Sequence, residues 1–182
     1  MKYDYYIQKN LYSLDECRSI KELIEQHIDL NIKDLKAEGV IKTANVKSFP
    51  LGATRSKLAG FHDAIASLNR NVFGFTVFET CDLEYLNFNK YSEYAAGEYS
   101  WHSDKVLNEP YDLKLTAIVN ISTEPYEGGE FELFINGITS VPELKEPGSL
   151  LVFPAYMQHR VTPVTKGERI TVSRWLSGPT FK

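Results

Sequence analysis

The character of the chain changes near residue 75. Ahead of that point apolar residues recur at helical spacing. Beyond it come short strand-like runs at 76–90, 113–121, 130–135, 138–142, 149–153 and 169–176. Turn formers separate these runs: Ala96-Gly97, Asn108-Glu109-Pro110, Gly128-Gly129, Asn136-Gly137, Pro147-Gly148 and Lys166-Gly167. Asn136-Gly137, between Phe134-Ile135 and Ile138, predicts a two-residue hairpin loop. Helices followed by many short strands predict an α+β chain that is mainly β: an antiparallel jelly-roll with N-terminal helices along one side.

The N-terminal part is read from its periods. Ser13-Leu14-Asp15-Glu16 matches a capping box, and Cys17, Ile20, Ile24 and Ile28 follow at helical spacing, which predicts a helix over about 14–29. Leu58, Phe61, Ile65 and Leu68 predict a second over about 57–70. Residues 3–7 alternate weakly, as an edge strand would. Residues 30–56 show no clear period and, Lys42 to Arg55 especially, are candidates for a lid over the site. A length of 182 residues favours a single domain over 1–182, with helical support to about 75 and a strand core over about 76–178.

Composition excludes several classes. A net charge of -4 with scattered basic residues argues against a general nucleic-acid binder. The aromatic residues read as core rather than as base-stacking platforms. Two cysteines make neither a disulfide framework nor a zinc module, and Cys17, on the apolar stripe, reads as a buried thiol. No run approaches 18 apolar residues and the opening MKYDYYIQKN has no apolar leader core. The expectation is a soluble, intracellular (cytoplasmic) protein with no membrane partner.

Four residues carry the chemistry: His102, Asp104, His159 and Arg169. On a strand, His102 and Asp104 would point to one side, and a jelly-roll would bring His159 to them. Two imidazoles and one carboxylate fill three positions of an octahedral metal and leave three open. That suits a non-haem Fe(II) centre taking a cosubstrate and dioxygen together. In the run Arg-Ile-Thr-Val-Ser-Arg-Trp, alternation sets Arg169, Thr171, Ser173 and Trp175 on one face and Ile170, Val172 and Arg174 on the other. A cation among hydroxyls suits a pocket that clamps a carboxylate. Trp101 either faces substrate or packs a strand, and Trp175 either fills core or walls the pocket. His27 and His62 read as solvated or packing residues, and Arg160 and Arg174 as solvent-facing charges.

An ordered set of matches extends this constellation. Tyr91…Gly97-Glu98-Tyr99-Ser100-Trp101-His102-Ser103-Asp104 resembles the Tyr…Gly…Tyr-x-x-His-x-Asp signature of the 2-oxoglutarate/Fe(II)-dependent oxygenases, in the prolyl 4-hydroxylase-like (PKHD-type) branch. Lys114-Leu115-Thr116, Gly128-Gly129-Glu130, Val141-Pro142, the Pro147-to-Pro154 run, the His159-to-Arg169 block and Trp175 follow in the family's order. The resemblance covers residues 85–176. It implies a double-stranded β-helix core with Fe(II) held by His102, Asp104 and His159. It also implies that Arg169 holds the C5 carboxylate of 2-oxoglutarate, with Tyr91 and Ser173 as further hydrogen-bonding candidates and ascorbate as a reductant. The implied reaction is 2-oxoglutarate- and O2-dependent hydroxylation of a prolyl or other residue in a peptide or protein, yielding succinate and CO2. Free amino acids and small metabolites remain open as substrates. The retained Asp104 favours hydroxylation over halogenation.

The chain also departs from the family pattern. The Tyr91-to-Gly97 interval is long, which leaves Tyr91 and Tyr94 as alternatives for the motif tyrosine. Asn120 stands where some prolyl hydroxylases have a cosubstrate-binding Tyr, and Lys114 replaces a common Arg. A nucleic-acid dealkylase using the same cofactor fits poorly, because Arg169 and Arg174 fall on opposite strand faces. A cupin-like metal-binding protein without activity is the remaining alternative.

Overall fold

The computed structural model describes residues 3–27, 40–105 and 109–181. The capping box closes at the start of helix α1 (Leu14–His27) as its residues dictate. Glu16 accepts from the Ser13 backbone N–H at 2.7 Å, and Ser13 Oγ accepts from the Glu16 N–H at 3.3 Å. Both donors belong to a helix end that has no partner of its own. Cys17, Ile20 and Ile24 form the buried stripe; residues 28 and 29 of the predicted helix lie outside the described residues. After a short turn, α2 (Leu51–Thr54), comes α3 (Ala59–Leu68), which buries Phe61, Ile65 and Leu68. It runs on into a π-helical turn, Asn69–Phe73, that Gly74 ends at φ 72°. Only a residue tolerant of the left-handed region closes a helix this way.

The strands are β1 (Tyr6–Gln8), β2 (Asn45–Pro50), β3 (Tyr85–Ser92), β4 (Tyr99–His102), β5 (Tyr111–Asn120), β6 (Glu127–Gly128), β7 (Phe131–Phe134), β8 (Ile138–Ser140), β9 (Leu150–Pro154), β10 (His159–Val161), β11 (Val164–Lys166) and β12 (Glu168–Pro179). They form a large sheet in the order β1-β9-β5-β12-β3-β2, a small sheet in the order β4-β10-β7-β8, and a β6–β11 pair. These pairings are antiparallel throughout.

The pleat of the large sheet divides its residues between two cores. On the outer face Ile170, Val172, Leu115, Ala117 and Val119 join the apolar stripes of α1 and α3. On the inner face Ile118, Leu151 and Phe153 meet Phe131, Leu133 and Val161 of the small sheet. Each fully buried side chain of this size contributes about 1.5–3 kcal/mol relative to exposure. The result is the predicted jelly-roll with helices along one side.

Four local expectations are corrected. The run 76–90 becomes a strand only at Tyr85; residues 75–84 are irregular apart from a turn at Asp82-Leu83, and side chains tie them to other segments. Arg55 pairs with Asp82 there, and Glu84 both caps the Cys81 N–H and pairs with Arg174. Within the 30–56 region expected to form a lid, Asn45–Pro50 is edge strand β2, in register with β3 from Asn45↔Lys90 to Pro50↔Tyr85, and Leu51–Thr54 is α2; residues 28–39 lie outside the described residues. The Asn136-Gly137 hairpin has a three-residue loop, since Phe134 pairs with Ile138, while Asn136 (φ 52°) and Gly137 (φ 138°) adopt the positive φ that the turn demands. The predicted strand 138–142 stops at Ser140, because Pro142 opens a 3-10 turn, Pro142–Lys145. Among the described residues no helix is long and apolar enough to cross a membrane.

Candidate metal centre

The antiparallel register sets His102, the last residue of β4, directly opposite His159, the first of β10. Asp104 lies past the end of β4, so the pleat expected from i, i+2 spacing does not aim it. Its backbone is held by the Asp104 N–H donating to the Ala155 carbonyl at 2.9 Å. His102 Nε2 is 3.8 Å from Asp104 Oδ1, and His159 Nε2 is 3.7 Å from Asp104 Oδ2. The three ligand atoms all lie within 4.8 Å of one another. Such spacing suits donors that would each approach one ion at about 2 Å.

The surroundings prepare these atoms for a metal. His102 Nδ1 is 2.7 Å from the Ser100 carbonyl, and His159 Nδ1 is 3.0 Å from the Met157 carbonyl. A carbonyl only accepts, so each Nδ1 carries the proton and each Nε2 keeps its lone pair for the site. Burial, then the neighbouring His159, pushes the His102 pKa down to about 4, which keeps it neutral at physiological pH. Thr116 Oγ1 donates to Asp104 Oδ2 at 2.6 Å and fixes the carboxylate. Tyr99 stacks on His102 at 3.4 Å between ring centroids, and Phe153 packs edge-on to His159 at 4.8 Å. Lys42, on the far side of Tyr99, sits 4.5 Å from that ring's centroid.

Arg169 points from β12 into the same interior, as alternation predicted. It is 2% exposed, yet among the described residues it meets no acid, and its Nη2 has no hydrogen-bond partner. Its guanidinium lies 5.2 Å from the centroid of the Tyr91 ring, opposite it on β3. Gly129 lets these groups close in. A Cβ there would come within 3.1 Å of Arg169 Cδ and 3.3 Å of Tyr126 Cε2, at a φ of 61°. Tyr126 brings a second buried, unpartnered group, its hydroxyl. Sequence reasoning missed Tyr126, which stands two residues before the Gly128-Gly129 turn. An unpaired buried cation is costly to hold, which makes Arg169 a candidate anion-binding group.

The remaining expectations sort cleanly. Tyr91 is buried beside Arg169 while Tyr94 is 92% exposed, so Tyr91 is the inward tyrosine of the pair. Ser173 Oγ faces inward and accepts from Asn89 Nδ2 at 3.0 Å. Asn120 is committed to the fold, donating to the Leu144 and Lys145 carbonyls. Lys114 Nζ sits 3.3 Å from the centroid of the Phe181 ring and 3.6 Å from Asp112. Trp101 faces away from the centre, between Arg160 and Phe134. Trp175 lies inward opposite Thr116, with an unpartnered buried Nε1–H. Arg160 pairs with Glu132. Arg174 corrects its expectation: it is buried on the outer face, bonded to His62, Thr80 and Glu84, and cannot share a ligand with Arg169.

Comparison with known proteins adds to this geometry. The chain is 35% identical over 97 residues to a PKHD-type hydroxylase of Alteromonas mediterranea, covering 49% of this chain and 41% of that protein. It thus spans less than half of that relative's length. A PKHD-type hydroxylase of Paraburkholderia phytofirmans is 29% identical over 176 residues, covering 92% of this chain and 75% of that one. In fold, the chain resembles a Pseudomonas putida prolyl-4-hydroxylase with a TM-score of 0.73 at 18% identity, over 98% of this chain and 94% of that one. Residues 86–177, just over half of the chain and the stretch that holds the whole triad and Arg169, match the model of a single family, and the chain belongs to the 2OG-Fe(II) oxygenase superfamily.

Proposed function

We propose that the chain is a hydroxylase dependent on Fe(II), 2-oxoglutarate and O2, acting on a prolyl or other residue of a peptide or protein. The observation that carries this reading is the pairing of two features in one interior. One is a His102–Asp104–His159 cluster with both Nε2 atoms free to ligate; the other is a buried Arg169 with no acid of its own. In it, His102 Nε2, Asp104 and His159 Nε2 hold the iron on one face. Arg169 holds the distal carboxylate of 2-oxoglutarate, with the Tyr126 hydroxyl beside it and Tyr91 and Ser173 lining the approach. When bound, the iron and 2-oxoglutarate supply the oxidising chemistry, with O2 consumed and succinate and CO2 released as a substrate C–H becomes C–OH.

The chain's own residues do the rest. Ser100 and Met157 carbonyls fix both imidazole tautomers, and Thr116 fixes the carboxylate. Phe131 and Phe153, around His159, keep that side of the centre dry. Likeness to PKHD-type hydroxylases and, in fold, to a prolyl-4-hydroxylase supports a prolyl substrate. Ascorbate would keep the iron ferrous between turnovers.

The test is mass spectrometry of a proline-rich peptide library incubated with the protein, Fe(II), ascorbate, O2 and 2-oxoglutarate. A product heavier by one oxygen, formed only with 2-oxoglutarate, is expected. Absence of 2-oxoglutarate consumption with every peptide would reject the reading.

A further inference from the structure

The inner face of the large sheet carries a polar wall that neither the triad nor Arg169 uses. Phe49, Leu86 and Phe88 belong to the outer core. The alternate residues of β2 and β3, namely Val46, Ser48, Asn87, Asn89 and Tyr91, therefore face the interior. Register places them. Asn87 lies between Ser173 on β12 and Ser48 on β2, directly opposite both. Ser173 in turn stands two inward positions from Arg169 and one from Trp175, whose strand partner Thr116 holds Asp104. The wall thus runs sideways from the centre to the edge strand. Asn89 and Ser173 are 5% and 6% exposed, whereas Asn87 and Ser48 are half-buried, so the accessible end is the β2 end.

Hydrogen bonds fix the buried end. Asn89 Nδ2 donates to the Asn87 main-chain carbonyl at 3.3 Å and to Ser173 Oγ at 3.0 Å. A carbonyl only accepts, so the Asn89 amide cannot be turned round. The accessible end is satisfied only in part. The Ser48 hydroxyl donates to Asn87 Oδ1 at 2.7 Å. Asn87 Nδ2 keeps its hydrogens and Ser48 Oγ its lone pairs, and among the described residues neither has a further partner. Turning the Asn87 amide only exchanges these roles: Asn87 Oδ1 then accepts and the Ser48 hydroxyl donates. Either way the pair presents a donor and an acceptor side by side. A secondary amide is the complement, because its C=O accepts and its N–H donates. A carboxylate only accepts and an ammonium only donates, and none of the five residues brings a charge to meet either.

We propose that Ser48 and Asn87 are specificity-determining residues that receive a neutral secondary amide of the substrate, the peptide group beside the residue to be hydroxylated. The pair then favours peptides over free amino acids. This rests on the hydroxylase reading, whose substrate class it names.

The test reads binding without turnover. The Asn87 side-chain amide NMR signals of the full chain are titrated with N-acetylproline N-methylamide, with N-acetylproline methyl ester and with free proline. The ester replaces the amide N–H by oxygen. A saturable shift is expected with the amide, binding about ten-fold weaker with the ester, and no shift with proline. The variant carrying Ser48→Ala and Asn87→Leu, followed through the ligands' methyl signals, should lose the preference for amide over ester with its melting temperature little changed. Equal affinity of the parent protein for amide and ester would overturn the proposal. So would a proline shift matching that of the amide, or an undiminished preference in the variant. Failure of the hydroxylase reading shows separately, as absent 2-oxoglutarate consumption.

Discussion

Arg169 and Arg174 lie on one strand, 2% and 4% exposed, and only one of them meets an acid. Arg174 points to the outer face, where Glu84 lies 3.1 Å away and Thr80 and His62 take further N–H groups. Arg169 points to the inner face, where the described residues offer its charge no acid. A buried cation without an anion is expensive to hold, which is why Arg169 is the proposed carboxylate site. The outer arginine is bound up with the fold, and the inner one meets no acid among the described residues. The same division runs through the whole sheet, whose outer face packs helices while its inner face frames the triad.

Substitutions should therefore separate by face. The largest effect belongs to Asp104→Ala. It leaves two neutral imidazoles, and turnover should fall by more than about 1000-fold, some 4 kcal/mol of transition-state stabilisation, with the melting temperature little changed. Enzyme assay beside thermal denaturation checks both halves. Next comes the arginine pair itself. Arg169→Leu should raise the KM for 2-oxoglutarate by about 100-fold while leaving the fold intact, because a charge-assisted carboxylate contact is lost and no internal partner is stranded. Arg174→Leu should do the reverse. It removes a buried group bonded to His62, Thr80 and Glu84 and should cost about 2–4 kcal/mol in denaturant unfolding, with the KM unchanged. If both variants lost stability alike and kept the same KM, the contrast between the faces would be broken.

Smaller effects sharpen the same contrast. Thr116→Val removes the hydroxyl that steadies Asp104, and iron affinity should drop about ten-fold or more, measured by competition with a chelator. The smallest effect concerns pH. The folded-state pKa of His62 lies near 4, below its unfolded value near 6.5. The neutral form's advantage is therefore fully present above about 6.5 and is lost as pH falls through about 4. Melting temperature against pH should decline over that window, less steeply in His62→Gln, and the KM for 2-oxoglutarate should not follow it.

The sequence made the inner face readable for physical reasons. The His102–His159 pairing and the inward Arg169 follow from register and pleat, while Asp104, past the end of β4, reaches the two imidazoles without the pleat that its spacing suggested. The capping box was equally local and equally legible. What escaped depended on contacts between distant segments. Val77 and Phe78 looked like strand, but residues 75–84 are shaped by Arg55–Asp82 and Glu84–Arg174 pairs that no local pattern reveals. The Asn45–Pro50 strand is short of apolar residues and ends in proline, as edge strands do, so it showed no clear period. Arg174 looked solvent-facing because nothing in its neighbourhood announced Glu84. Tyr126 stands beside a glycine turn, and Gly129 of that turn packs close to both Tyr126 and Arg169.

The most direct test loads the full chain with Fe(II) under nitrogen, measures bound iron, then admits O2 with 2-oxoglutarate and measures succinate. One iron per chain and succinate production are predicted, with both lost in Asp104→Ala. Iron bound equally well by Asp104→Ala, or no succinate from the iron-loaded parent protein, would contradict the account.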